Sequence, residues 1–174
     1  MLIVDAGYAF NSPYPSILRP SRKIDLILSF DFSERDGDKK DPFTDLIEAE
    51  KWAKKRGLKF PKIKAKLKTI EEERGQGQYK ELYIFEDDGT PTIMHFVMVN
   101  SSFRTVGCQI CNDFDIFPSY ATMRFKYTRP AFNKLHYLVR HNVKINVSMI
   151  NKCIQTAIYK KQRMIPTTSE NDSQ

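Results

Sequence analysis

Asp5 is the first side chain in this sequence placed for chemistry. It follows the apolar run Leu2-Ile3-Val4 and precedes Ala6-Gly7. The run reads as the end of a buried strand, and in open α/β sheets ligands bind just beyond the carboxyl ends of the strands. Gly7 allows a sharp turn and a close approach to a ligand. The same residues also make an ordinary turn, with the aspartate bonding its own backbone. On pattern alone the turn is the stronger reading.

Other residue types with chemical potential are sparse. Cys108-Gln109-Ile110-Cys111 is the one Cys-x-x-Cys. No second pair follows it, and His95, His136 and His141 lack ligand spacing, so a structural zinc is not expected. Both cysteines read as reduced thiols, and an odd total of three cysteines argues for a reducing compartment. His136 and His141 read as surface or helix-end residues, with His141 opposing the negative end of a helix. Lysines at 62, 64, 66 and 68 alternate, so an extended chain would present them on one face, as a lysine-guarded edge strand or a surface for anionic lipid.

The elements that must position these groups follow from periodicity. Residues 24–32 are nearly continuously apolar in their middle, as in a strand covered on both faces. Asp41 and Pro42 open a helix over 42–56, with Phe43, Leu46, Ile47, Glu50 and Ala53 on one face, Trp52 at its edge and Gly57 as its stop. Glu71 to Gln78 reads as a polar loop. Two apolar runs around Asp87-Asp88-Gly89 predict a hairpin over 81–99, and 101–112 reads as loop. Ala121 to Tyr127 reads as a strand. Thr128 and Pro130 open a helix over 129–141 with Phe132, Leu135, Leu138 and Val139 on one side. A last helix over 147–163 buries Ile150, Cys153, Ile154, Ala157 and Ile158. The expected fold class is α/β, part of a three-layer α/β/α sandwich around a central mixed sheet.

Composition bounds the function. With 174 residues, 41% hydrophobic, the chain can bury a core as one domain. Mean hydropathy of −0.49 and the lack of any long apolar run exclude a transmembrane segment. A net charge of +7 favours anionic partners, whether phospholipid head groups, nucleic acid or an acidic protein surface. Charge alone does not choose among these, but no nucleic-acid-binding signature is present, so a nucleic-acid partner is not expected.

The string DAGYAFNSPYPSILRPSRKIDLILSFDFS, from Asp5 to Ser33, resembles the aspartate-bearing segment of the cytosolic (group IV) phospholipase A2 catalytic domain. The resemblance continues in order through Pro42-Phe43, Ala49 to Lys54, Phe60-Pro61-Lys62-Ile63, Pro91 to Phe96, Asp113 to Phe117 and Ala131 to His136. It is greatest for the calcium-recruited, arachidonoyl-preferring branch. The resemblance implies a Ser–Asp dyad that cleaves the sn-2 ester of glycerophospholipids, with Asp5 as general base. It implies that Arg22, in Leu18-Arg19-Pro20-Ser21-Arg22, meets the substrate phosphate, a role suited to a permanently charged, two-pronged guanidinium. An exposed ion pair is the other reading of Arg22, and Arg19 is the weaker candidate.

The sequence contains no Gly-x-Ser-x-Gly elbow and no glycine-rich run for an oxyanion. Residues 1–165 are therefore expected to be the C-terminal part of such a catalytic domain without its nucleophile half, followed by a disordered polar tail over 166–174. The missing N-terminal part of the same domain is the expected protein partner. The alternative is a truncated, non-catalytic lipid- or protein-binding module. No cofactor or metal is expected in this chain, calcium entering only through an absent membrane-docking domain. The expected setting is cytoplasmic, with reversible association with intracellular membranes.

Overall fold

The computed structural model describes residues 11–33, 37–106, 111, 120 and 126–164. Asp5, Cys108, the segment 112–119, most of the expected strand at 121–127 and the tail at 166–174 lie outside these residues. Three strands form one mixed sheet in the order β1-β3-β2. β1 (Leu26–Asp31) runs parallel to the central β3 (Thr92–Val97), and β2 (Leu82–Phe85) pairs with β3 antiparallel. The parallel pair needs a long crossover. It is supplied by α2 (Thr44–Lys55) and α3 (Ile63–Gly75).

Register decides which side chains meet. Ile27, Ser29 and Asp31 stand opposite Ile93, His95 and Val97, on the face that also carries Tyr83 and Phe85. α2 and α3 cover this face, and Phe43, Leu46, Ala49, Ala53, Ile63 and Leu67 complete its core with Tyr14 and Leu18. The other face carries Met94, Phe96, Leu82 and Ile84. Against it pack Val143 of α5 (Arg129–Ile145) and Ile150 and Cys153 of α6 (Val147–Met164). Helices on both faces of a mixed sheet give the expected α/β/α layering, and every residue of β3 is buried between them.

Several expectations shift. α2 starts two residues later than expected, with Phe43 and not Asp41 at its N-cap. Asp41 instead bonds the turn before it, accepting from Phe43 N–H (3.0 Å) and Thr44 Oγ1 (3.1 Å), and Gly57 takes the expected left-handed conformation at φ 62°. The lysine alternation is not a strand. Residues 63–75, including the part of Glu71 to Gln78 read as loop, form α3. Ile63, Leu67, Ile70 and Arg74 recur at helical spacing and carry the packing, which spreads the lysines around the axis instead of along one face. A short helix, α4 (Ser101–Arg104), replaces the start of the expected 101–112 loop.

Thr128 caps α5 by accepting from Ala131 N–H, with Pro130 in the first turn, and the helix runs on to Ile145. Within its apolar side Leu138 is fully buried, but Phe132 is exposed. α6 buries less than its pattern predicts: Ile150 and Cys153 are half-buried, whereas Ile154 and Ile158 are exposed. The helix lies against β1 and β3, and among the described strands β1 is the last on that side, so part of the stripe overhangs the sheet.

Candidate functional site

The segment leading to Arg22 is built from short turns stiffened by proline, whose ring fixes φ. α1 (Tyr14–Ile17) begins after Pro13 and contains Pro15, and Pro20 opens a 3-10 turn over Pro20–Arg22. Leu18 N–H bonds the Tyr14 carbonyl (2.9 Å) and Arg22 N–H bonds the Arg19 carbonyl (2.9 Å). Lys23 closes the turn at φ 46°, and it is the one non-glycine residue with positive φ among those described. Such a conformation carries strain in a non-glycine residue and tends to persist where the surroundings impose it. The Arg22 side chain is exposed and meets no hydrogen-bond or ion-pair partner among the described residues, so the surface ion pair considered for it is not formed there.

The arm is fastened at Tyr14. This side chain is buried, packs edge-to-face on Phe60 at 5.4 Å, and donates its hydroxyl to Ser29 Oγ at 3.1 Å. Burial is the main cause that pushes the Tyr14 pKa up to about 12; the Ser29 bond opposes it, and the Asp45 and Asp31 carboxylates reinforce it. The hydroxyl therefore stays a donor at neutral pH.

Ser29 is the register partner of His95, and their side chains meet at 3.3 Å through Nδ1. His95 Nε2 lies 3.0 Å from the Pro42 carbonyl, which can only accept. That places the proton on Nε2 and leaves Nδ1 to accept from Ser29. Tyr14 to Ser29 to His95 to Pro42 is thus a one-way donor chain linking α1, β1, β3 and the residues before α2. Asp31 Oδ2 stands 3.8 Å from Nε2, beyond hydrogen-bond length. Residue types apart, no sequence signal marks this chain, because its members meet only through strand register.

The carboxyl ends of β1 and β3 open onto a shallow, mainly apolar cleft whose walls include Phe30, Phe96, Val139 and Val143, with Asp31 and Asn142 as polar members. Asn142 donates to the Val97 and Val99 carbonyls (3.3 and 3.0 Å), and its Oδ1 is buried without a partner among the described residues.

The remaining sequence candidates resolve differently. His136 is exposed, as expected. His141 lies one turn inside the longer α5, where its Nε2 contacts Ser102 Oγ (3.2 Å) and its ring tilts on Phe103. Ser102 donates to Glu81, so the hydroxyl proton points to the carboxylate and not to the ring, and this Ser–His contact is not a nucleophile–base pair. Cys111 is not a reduced thiol: it is disulfide-bonded and buried, while Cys153 is free. No cluster of three metal-ligating side chains occurs among the described residues, and none of their helices is long and apolar enough to cross a membrane.

No protein-family model matches the chain. It is 35% identical over 179 aligned residues to cytosolic phospholipase A2 zeta of Mus musculus, covering 92% of this chain and 19% of that protein. Its structure is similar to that of human GIVD cytosolic phospholipase A2 in complex with methyl gamma-linolenyl fluorophosphonate. The TM-score is 0.71 at 29% identity, over 90% of this chain and 24% of the other. The same human enzyme with that inhibitor and terbium chloride matches at a TM-score of 0.71, over 23% of its length. The chain thus spans about a fifth to a quarter of the relatives it matches.

Proposed function

The chain is homologous to the cytosolic phospholipases A2, and from that premise we propose that it supplies the aspartate and phosphate-binding portion of a phospholipase A2 active site. The nucleophilic serine is contributed by a further segment of the same polypeptide. Its hydroxyl attacks the sn-2 ester carbonyl while the Asp5 carboxylate takes the proton. The proton passes to the departing lysophospholipid oxygen, and the acyl-enzyme is then hydrolysed by water that Asp5 deprotonates. Arg22 binds the substrate phosphate through its guanidinium. The substrate surface is a phospholipid membrane reached from the cytoplasm by reversible association, with no nucleic acid partner, and this chain's own residues hold no metal or cofactor.

The observation that carries the proposal is the state of Arg22: a cation without a partner among the described residues, at the end of a proline-stiffened arm. Paired surface arginines contribute little and are common, whereas an unpaired one on a fixed backbone is available to an external anion. The second reading rests on the lack of Gly-x-Ser-x-Gly in the sequence. A free-standing 174-residue species would be a lipid- or protein-binding module without esterase chemistry.

The test is capture of the endogenous polypeptide with an antibody to Thr167–Gln174, followed by its mass and its release of fatty acid from mixed phospholipid vesicles. A large species whose release is abolished by Asp5→Ala supports the enzyme. A species near 20.3 kDa without esterase activity overturns it in favour of the binding module.

A further inference from the structure

We infer that Tyr14, Ser29 and His95 form a positioning relay that sets where Arg22 meets the substrate phosphate. The inference rests on the reading of Arg22 given above. Arg22 touches no described protein group that would hold its side chain, so its place is set by the backbone leading to it. That backbone is short and stiff: Pro13, Pro15 and Pro20 fix three φ angles, and hydrogen bonds tie Leu18 to Tyr14 and Arg22 to Arg19. Leu18 is buried against the core beside Tyr14. A stiff arm transmits slack at its base to its tip.

The base of the arm is held in one direction by packing and in another by a hydrogen bond. Phe60 meets the Tyr14 ring edge-to-face without fixing its hydroxyl. The hydroxyl is fixed by Ser29 Oγ at 3.1 Å. Ser29 is fixed in turn because its own proton is directed at His95 Nδ1 (3.3 Å), and His95 cannot turn because Nε2 is held by the Pro42 carbonyl (3.0 Å). His95 is 1% exposed, which keeps water from its bond to Pro42, while Ser29 is half-buried. Four segments distant in sequence therefore converge on the base of the Arg22 arm.

The experiment uses the longest natural polypeptide that carries this sequence. It compares kcat and KM on phospholipid vesicles with those on a monoacylglycerol, an acyl ester without phosphate. Arg22→Gln is expected to lower the phospholipid-to-monoacylglycerol ratio of kcat/KM. Tyr14→Phe keeps the ring packing and removes the donor. It is expected to lower the same ratio about fivefold, the factor one neutral hydrogen bond is worth, and mainly through KM. Ser29→Ala should act in the same direction. His95→Gln, whose amide can donate to Pro42 and accept from Ser29, should recover most of the ratio. Tyr14→Phe combined with Arg22→Gln should be no worse than Arg22→Gln alone, as expected for two residues acting through one contact.

A purely structural role would slow both substrates alike, and that result, or full additivity of the two variants, overturns the relay. A ratio that moves with Arg22→Gln but not with Tyr14→Phe or Ser29→Ala also overturns the relay while leaving the phosphate role of Arg22 standing. A ratio unmoved by Arg22→Gln overturns the phosphate role itself, and the relay with it.

Discussion

The Nη2 of Arg74 lies 2.8 Å from the carbonyl oxygen of Lys40, thirty-four residues away in sequence. The same nitrogen donates to the carbonyls of Asp38 (2.9 Å) and Lys39 (3.0 Å), and Nη1 donates to Tyr83 Oη (3.2 Å). The guanidinium also lies over the rings of Phe43 and Tyr79. A buried cation is tolerated here because backbone dipoles and π faces replace its water. In exchange it pins the 38–40 turn to the end of α3.

Arg74→Met is therefore expected to destabilise the chain by about 2–4 kcal/mol, since it strands three carbonyls that are only partly reached by water. Arg74→Lys should recover less than half of this, as a single ammonium cannot span the same acceptors. Urea denaturation measures both, and a change below about 0.5 kcal/mol, the scale of ordinary surface substitutions, would refute the pinning role.

His95→Leu removes a donor and an acceptor from a dry site and leaves the Pro42 carbonyl and the Ser29 hydroxyl without it. A loss of about 2–4 kcal/mol is expected, and His95→Gln should lose roughly half as much. Equal losses for the two variants would show that ring packing, not hydrogen bonding, is what His95 contributes.

Tyr14 has a pKa raised to about 12, against an unfolded value near 10. A group raised on folding contributes stability that is intact below the unfolded value and is lost as pH climbs to the folded one. Stability should fall between about pH 10 and 12, by on the order of 2–3 kcal/mol from this group. Tyr14→Phe should flatten that part of the pH–stability curve. An unchanged slope in the variant would contradict the assignment.

Asp38 is raised chiefly by burial, against the lowering effect of backbone N–H bonds from Asn100 and Ser101 and of nearby Arg104. Asp38→Asn keeps an oxygen to accept from Asn100 N–H and removes a charge that burial penalises. Its expected effect on stability at neutral pH is within about 1 kcal/mol, whereas Asp38→Ala, which strands the amide, should cost about 1–2 kcal/mol. Thermal unfolding of the two variants side by side distinguishes a neutral acceptor role from a charge role.

Local chemistry was legible in the sequence wherever a signal is local. Asp41, Gly57, Thr128 and Pro130 mark helix ends through bonds to their own neighbours, and each acts near where it was expected. The apolar runs of the hairpin and of β1 were equally direct, as was the α/β/α layering that they imply. The alternation of Lys62 to Lys68 has the period of a strand, but the helical recurrence of Ile63, Leu67 and Ile70 carries the buried contacts and decides the structure. The overhang of Ile154 and Ile158 depends on the width of the sheet beneath α6, which no pattern within the helix encodes. The donor chain at Tyr14 depends on Ser29 and His95 falling into register, a property of strand pairing and not of either strand.

The parallel pairing of β1 with β3 has a consequence for biosynthesis. Ser29 and His95 are separated by 66 residues, and the whole α2–α3 crossover lies between them. During translation β1 leaves the ribosome well before its partner exists, carrying Leu28 and Phe30 that remain partly exposed even in the folded chain. Non-local pairings of this kind form late because the loop must close before any contact repays its entropy. Until β3 emerges, the edge of β1 that later pairs with it stays open on the nascent chain.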